Sequence, residues 1–179
     1  MKFIAHLLPY SAHPRLNVID LQVDLQLGPD RSLCVHYVLS GSLGEILIPA
    51  PLPSQAADEL WQHTCLEAFV AVEGRSDYRE FNFAPSGQWA AYAFSDYRVR
   101  EESWQISQAP HLEISRLSDC LSLTARLDLV DLPANPENLP WQFGLTAVLE
   151  TRAEGLSYWA LQHPGAQPDF HDRRGFIRY

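Results

Sequence analysis

The side chains best suited to chemistry fall in two stretches. Within "TCLEAFVAVEGRSDYREFN", residues 64–82, lie Glu67, Tyr78, Glu80 and Asn82. Within "YWALQHPGAQPDFH", residues 158–171, lie Trp159, His163, Asp169 and His171. A carboxylate pair is the working part of most glycosidases, with the separation of the two groups setting the stereochemistry. An aromatic ring beside amide and carboxylate acceptors suits a sugar, which needs a flat apolar surface and hydrogen-bond partners together. A His–Asp–His group can hold a metal, but His163 and His171 stand eight residues apart, a spacing that fits no standard ligand pattern. Glu67 and Glu80 can equally pair with Arg79, Arg98 or Arg116 on the outer face of a sheet, where charge is ordinary.

These residues ride on strands. In "NVIDLQVDLQLG" the residues Ile19, Leu21, Val23, Leu25 and Leu27 alternate with polar ones, the mark of a half-buried strand. "GPDRS" then reads as a hairpin turn, and Leu33, Val35, Tyr37 and Leu39 resume the alternation. "CLEAFVAVEG", "YREFNFAPSG" and "QWAAYAFSDYR" form three further strands, followed by "HLEISRL", "CLSLTARLDL", "WQFGLTAVLE" and "LSYWALQ". Helical signal is confined to "SQAADELWQ", a short helix with Ser54 as cap. "VDLPANPENLP" is a loop.

Side chains on a strand alternate between faces. Glu67 therefore shares a face with Cys65 and Phe69, while Leu66, Ala68, Val70 and Val72 point to the core. Tyr78, Glu80 and Asn82 share one face, and Arg79, Phe81 and Phe83 the other. On the last long strand Tyr158 lies opposite to Trp159.

Composition narrows the function. The 179 residues suit one domain spanning 1–179, with 46% hydrophobic and 20% charged residues. A net charge of -9 argues against nucleic acid and anionic membrane as partners. Cys34, Cys65 and Cys120 form no C-x-x-C pair and read as buried thiols. There is no secretion signal and no apolar run of membrane-spanning length, so the expected location is cytoplasmic. Motifs for phosphate cradling, dinucleotide binding, zincin chemistry and the nucleophile elbow are missing.

The combined pattern "W…TCLEAFV…Y-EFNFAPSGQWAAYAF-DYR", followed by "YWALQHPGAQPDFH", resembles the bacterial DOMON-like domain proteins, a branch of the superfamily of DOMON domains and carbohydrate-binding module family 9. The resemblance runs from about residue 60 to the C-terminus. It implies an all-β fold, a two-sheet antiparallel β-sandwich of about ten strands with at most short helices, whose members bind sugar or haem. In the sugar-binding members two tryptophans clamp a terminal sugar. Trp61, with Glu67 six residues on, is similar to the first, and Trp159 to the second. In haem-binding members a Met and a His hold the iron. Here Met1 is the one methionine, leaving His163 with His63 or His171 as the ligands such a haem would take.

The expectation is a non-catalytic domain that binds a small saccharide or sugar-containing metabolite, with no metal and no obligatory cofactor. Trp61 and Trp159 would stack, Glu67, Glu80 and Asn82 would take the hydroxyls, Tyr78 would lie on the same face, and His163 would line the pocket mouth. A b-type haem protein and a protein-docking sandwich are the alternatives.

Overall fold

A computed structural model describes residues 2–11, 19–28, 32–153 and 155–179. Its strands are β1 (Lys2–His6), β2 (Leu8–Pro9), β3 (Ile19–Leu27), β4 (Ser32–Gly41), β5 (Cys65–Val72), β6 (Tyr78–Phe83) and β7 (Trp89–Asp96). The series continues with β8 (Val99–Arg100), β9 (His111–Arg116), β10 (Cys120–Asp128), β11 (Trp141–Thr151), β12 (Gly155–Ala160) and β13 (Ile177–Arg178). One sheet runs β1-β3-β4-β10-β9 and the other β2-β12-β11-β5-β6-β7-β8, with β13 paired to the start of β11. All named strand pairs are antiparallel. This is the β-sandwich that the resemblance implies, and helical structure among the described residues is limited to single 3-10 turns.

The core follows from period two. Leu21, Val23 and Leu25 of β3, Leu33, Val35 and Tyr37 of β4, and Leu121, Leu123 and Ala125 of β10 point inward from the smaller sheet. They meet Leu66, Ala68 and Val70 of β5, Phe81 and Phe83 of β6, and Phe143, Leu145 and Ala147 of β11. Burying each large apolar side chain here contributes about 1.5–3 kcal/mol. Tyr37 crosses the core and donates its hydroxyl to the backbone carbonyl of Glu67 at 2.7 Å. One polar bond thus ties the sheets together directly behind that residue.

Three local expectations are corrected. The segment around "SQAADELWQ" forms no α-helix. Trp89 N–H donates to Gln55 O and Ala57 N–H to Trp89 O, so it lies extended along the start of β7, and one 3-10 turn, Leu60–Gln62, follows. The first residues, read only for a leader, supply β1 to one sheet and β2 to the other. Of the thiols, only Cys65 is fully buried, and Cys34 and Cys120 are half-buried. The hairpin of β3 and β4 forms with Leu27 opposite Leu33, while its turn residues 29–31 lie outside the described residues.

Candidate ligand-binding cleft

The outer face of the larger sheet is covered over much of its area. Cys65, Phe69, Tyr78, Tyr92 and Phe94 form a second apolar cluster there, with Leu60 above and Phe170 and Phe176 of the C-terminal segment packed on it. Gly144 of β11 makes this possible. A Cβ at that position would come within 2.4 Å of the Phe176 ring, so only a glycine lets the ring lie flat on the strand. Arg173 anchors the same segment by donating to the Val72 carbonyl at 2.9 Å. Between this cover and the sheet lies a cleft of about 830 Å³.

The floor of the cleft is set by strand register. Glu67 is opposite Asn82 and Thr146, and Glu80 is opposite Phe69 and Tyr92. Glu67 and Glu80 thus share one face as diagonal neighbours, a placement typically about 7–8 Å apart. Both line the cleft, and they are 2% and 6% exposed. Asn82, fully buried, donates to Glu80 Oε1 at 2.7 Å and accepts from the Cys65 thiol at 3.6 Å. Thr146 donates to Glu67 Oε2 at 3.3 Å, and Glu67 Oε1 has no partner among the described residues. Burial pushes the Glu67 carboxyl well up, and the nearby Glu80 pushes it further. Burial also raises Glu80, to about 7, against the opposing pull of Asn82, Arg98 and Arg100. Two like charges this deep are costly, so protonation relieves the pair.

A hydrogen-bonded latch closes one side. The backbone N–H of Arg98 donates to the Tyr78 hydroxyl at 3.1 Å, which leaves the hydroxyl proton for Nδ1 of His171 at 2.7 Å. This network assigns the His171 proton to Nε2, which faces Glu80 Oε2 at 3.7 Å. Burial, then Arg98, lowers His171 to about 4, so the ring is neutral at pH 7. Burial raises Tyr78 to about 12, keeping its proton in place. Asp169 accepts from the Tyr97 hydroxyl at 2.6 Å and from Arg98 at 2.8 Å. Burial alone would raise the Asp169 carboxyl, but these donors outweigh it and hold it below the usual range.

The rim is aromatic and conformationally strained. Trp61 lines the cleft and is 45% exposed, an unusual position for the largest apolar side chain. It follows Glu59, which adopts φ 59°, and Arg98 across the rim has φ 57°. Left-handed backbone at non-glycine residues costs of order 1 kcal/mol each and concentrates at binding sites. Tyr92 donates to Asp58 at 2.9 Å while Arg100 stacks over its ring at 4.3 Å. Tyr158 completes the aromatic lining from β12.

Of the residues singled out in the sequence, Trp61, Glu67, Glu80 and His171 line this cleft, and Tyr78 and Asn82 hold its lining from behind. Two others are placed elsewhere. Trp159 is 3% exposed and belongs to the core between the sheets, because its partner Ala147 and that residue's neighbour Leu66 both face inward. Its indole N–H donates to Ser157 on the same face. His163 sits away from the cleft, bonded to the Leu8 carbonyl at 2.8 Å and edge-on to Tyr10. The two-tryptophan clamp therefore does not form. Tyr158, one residue earlier and on the opposite face, takes the position assigned to Trp159. The strand alternation set the two residues on opposite faces without saying which face looked inward. His171 and Arg98 were visible in the sequence as residue types without this placement, and Tyr92 and Arg100 left no signal, because loops and distant strands bring all four in.

A pair of histidines for haem iron is likewise not assembled. His63 bonds to Glu150 at 2.8 Å and His163 to Leu8, so of the three only His171 lines the cleft, with Nδ1 engaged by Tyr78. These residues do not fit a haem held by two histidines. Among the described residues no group of three or more His, Cys, Asp or Glu could hold a metal ion, and no helix is long and apolar enough to cross a membrane.

Comparison with known proteins shows the fold. No family model matches the chain, and no curated protein matches it in sequence. Among solved structures, it is similar to a proposed carbohydrate-binding protein from Bacteroides uniformis, with TM-score 0.72 and 14% identity over 97% of this chain and 84% of that one. It is also similar to a carbohydrate-binding module of family 9 from Caldicellulosiruptor kristjanssonii in complex with cellotriose, with TM-score 0.57 and 12% identity over 88% and 71% of the two chains. A glucose complex of a family 9 module from the same organism gives TM-score 0.52 and 13% identity over 85% and 69%.

Proposed function

We propose that the protein binds a small saccharide in this cleft, by recognition and without bond cleavage. The observation that carries the reading is Glu67. Its Oε1 is buried, without a partner among the described residues, and part of a cleft wall with Trp61, Tyr92 and Tyr158 around it. An unsatisfied buried oxygen costs about 1–3 kcal/mol, a cost that a ligand hydroxyl bonded to it would offset. The exposed Trp61 supplies the flat apolar surface that a pyranose C–H face packs against. Solved structures of this fold that hold cellotriose and glucose support the same ligand class.

Recognition accounts for the polar groups better than hydrolysis does. Glu80 Oε1 is taken by Asn82 and Glu67 Oε2 is approached by Thr146, so each carboxyl is held in place by its own neighbour. Titration of mono- and oligosaccharides against tryptophan fluorescence tests the reading. A saturable change abolished in Trp61→Ala is the expected result. No response across a broad panel would sink it. Release of reducing sugar that disappears in Glu67→Gln would replace it with an enzyme.

A further inference from the structure

Resting on the saccharide reading, we infer that the cleft selects a sugar bearing a protonated amine over the matching neutral sugar. The lining carries four carboxyls, Asp58, Glu59, Glu67 and Glu80, and two guanidiniums, Arg98 and Arg100. Each guanidinium has its direct partner outside this set, while both pull on Glu80 from a distance. Arg98 donates to Asp169 at 2.8 Å, and Arg100 approaches Glu102 at 3.4 Å with its plane over Tyr92. His171 is neutral and spends its Nδ1 on Tyr78. The floor thus offers carboxyl oxygens with no cation directly on Glu67, and one of those oxygens is orphaned.

A hydroxyl brings that floor one donor and no charge. An ammonium brings three donors and a full positive charge, in a cleft whose low polarity strengthens the attraction. The aromatic rings add their own preference for a cation near their faces. Without such a ligand the two carboxyls relieve each other only by holding a proton, which is the state burial imposes on Glu67. When the ammonium binds it keeps its own protons, and a carboxyl releases one to the buffer. The groups facing this exchange are Glu80 and Tyr78 of β6, Cys65 of β5, Tyr92 of β7 and Tyr37 behind the sheet. From the rim come Asp58 and Glu59, Arg98 and Arg100, and His171 with Asp169.

Calorimetric titration of the intact protein with D-glucosamine, D-glucose and N-acetyl-D-glucosamine at pH 6.5, in two buffers of different ionisation enthalpy, tests this. Glucosamine is expected to bind at least tenfold more tightly than the other two, with a buffer-dependent enthalpy that reports proton release. Glu67→Gln should lower that preference, read as the ratio of glucosamine to glucose affinity. Equal affinity for all three, with no proton release, overturns the inference and leaves the saccharide reading standing. Absence of binding by any of the three overturns the inference, and the broad saccharide panel then decides the saccharide reading separately. The comparison of glucosamine with its N-acetyl form needs no variant, so it decides even if Glu67→Gln fails to fold.

Discussion

Glu67 and Glu80 sit diagonally across neighbouring strands on one face, Glu67 opposite Asn82 and Glu80 opposite Phe69. Asn82 therefore stands between them in the ladder and spends its amide on Glu80. One carboxyl is stabilised while its neighbour keeps a bare oxygen. That asymmetry shapes the pH response of the protein.

Stability should report the raised Glu80. Its carboxyl has an ordinary value of 4.5 and sits at about 7 in the fold. Between these limits the native protein holds a proton that the unfolded chain has released, so this group lowers stability as pH rises through the window. His171, lowered from 6.5 to about 4, acts in the opposite sense over much of the same range. Glu80→Gln removes only the falling contribution. Its stability relative to wild type should improve from pH 4.5 to pH 7 by up to roughly 3 kcal/mol. Urea unfolding at several pH values measures this, and a flat difference would contradict the raised carboxyl.

Trp61 and Trp159 should separate binding from folding. Trp61→Ala removes an exposed rim residue, so unfolding free energy should change by about 0.5 kcal/mol or less while saccharide affinity drops by about tenfold or more. Trp159→Ala opens a cavity between the sheets and should cost about 3–5 kcal/mol. Paired denaturation and binding curves would refute the assignment if the two phenotypes were exchanged.

Tyr78→Phe should loosen the C-terminal cover. It deletes the hydroxyl that accepts from Arg98 N–H and donates to His171, leaving both without that partner. A stability loss of about 1–3 kcal/mol is expected. Amide exchange across 169–172 should accelerate more than exchange in β3 or β10. Uniform acceleration would mean the hydroxyl is not a latch.

Gly144→Ala should force Phe176 off the sheet, because the added methyl meets the ring well inside van der Waals contact. The expected cost is about 1–3 kcal/mol, with weaker ligand binding as the cover shifts. Phe176→Ala in the same chain should recover part of the loss relative to Phe176→Ala alone. Strict additivity of the two substitutions would show that they do not touch.

Much of the architecture is legible from local pattern. Alternation in β3, β4, β5, β6 and β10 identifies the strands and assigns each residue a face, because neighbouring side chains on an extended backbone must point oppositely. It puts Glu67 on one side of β5 and Tyr78, Glu80 and Asn82 together on β6, as found. It also sets Tyr158 against Trp159, but alternation alone cannot say which face of β12 looks inward. The short strands β1, β2, β8 and β13 carry too few residues for a period to show.

The amino-acid order by itself thus determined the main strands, their alternating faces and the shared face of Tyr78, Glu80 and Asn82, since these depend on nearest neighbours along the chain. Tertiary structure alone decided that Ala147 pairs with Trp159 and buries it, and that the stretch before β5 lies along β7. It also brought His171 onto Tyr78 from 93 residues away. Those outcomes depend on strand register and on loops closing over a sheet, where free energy comes from contacts between segments that the sequence keeps far apart.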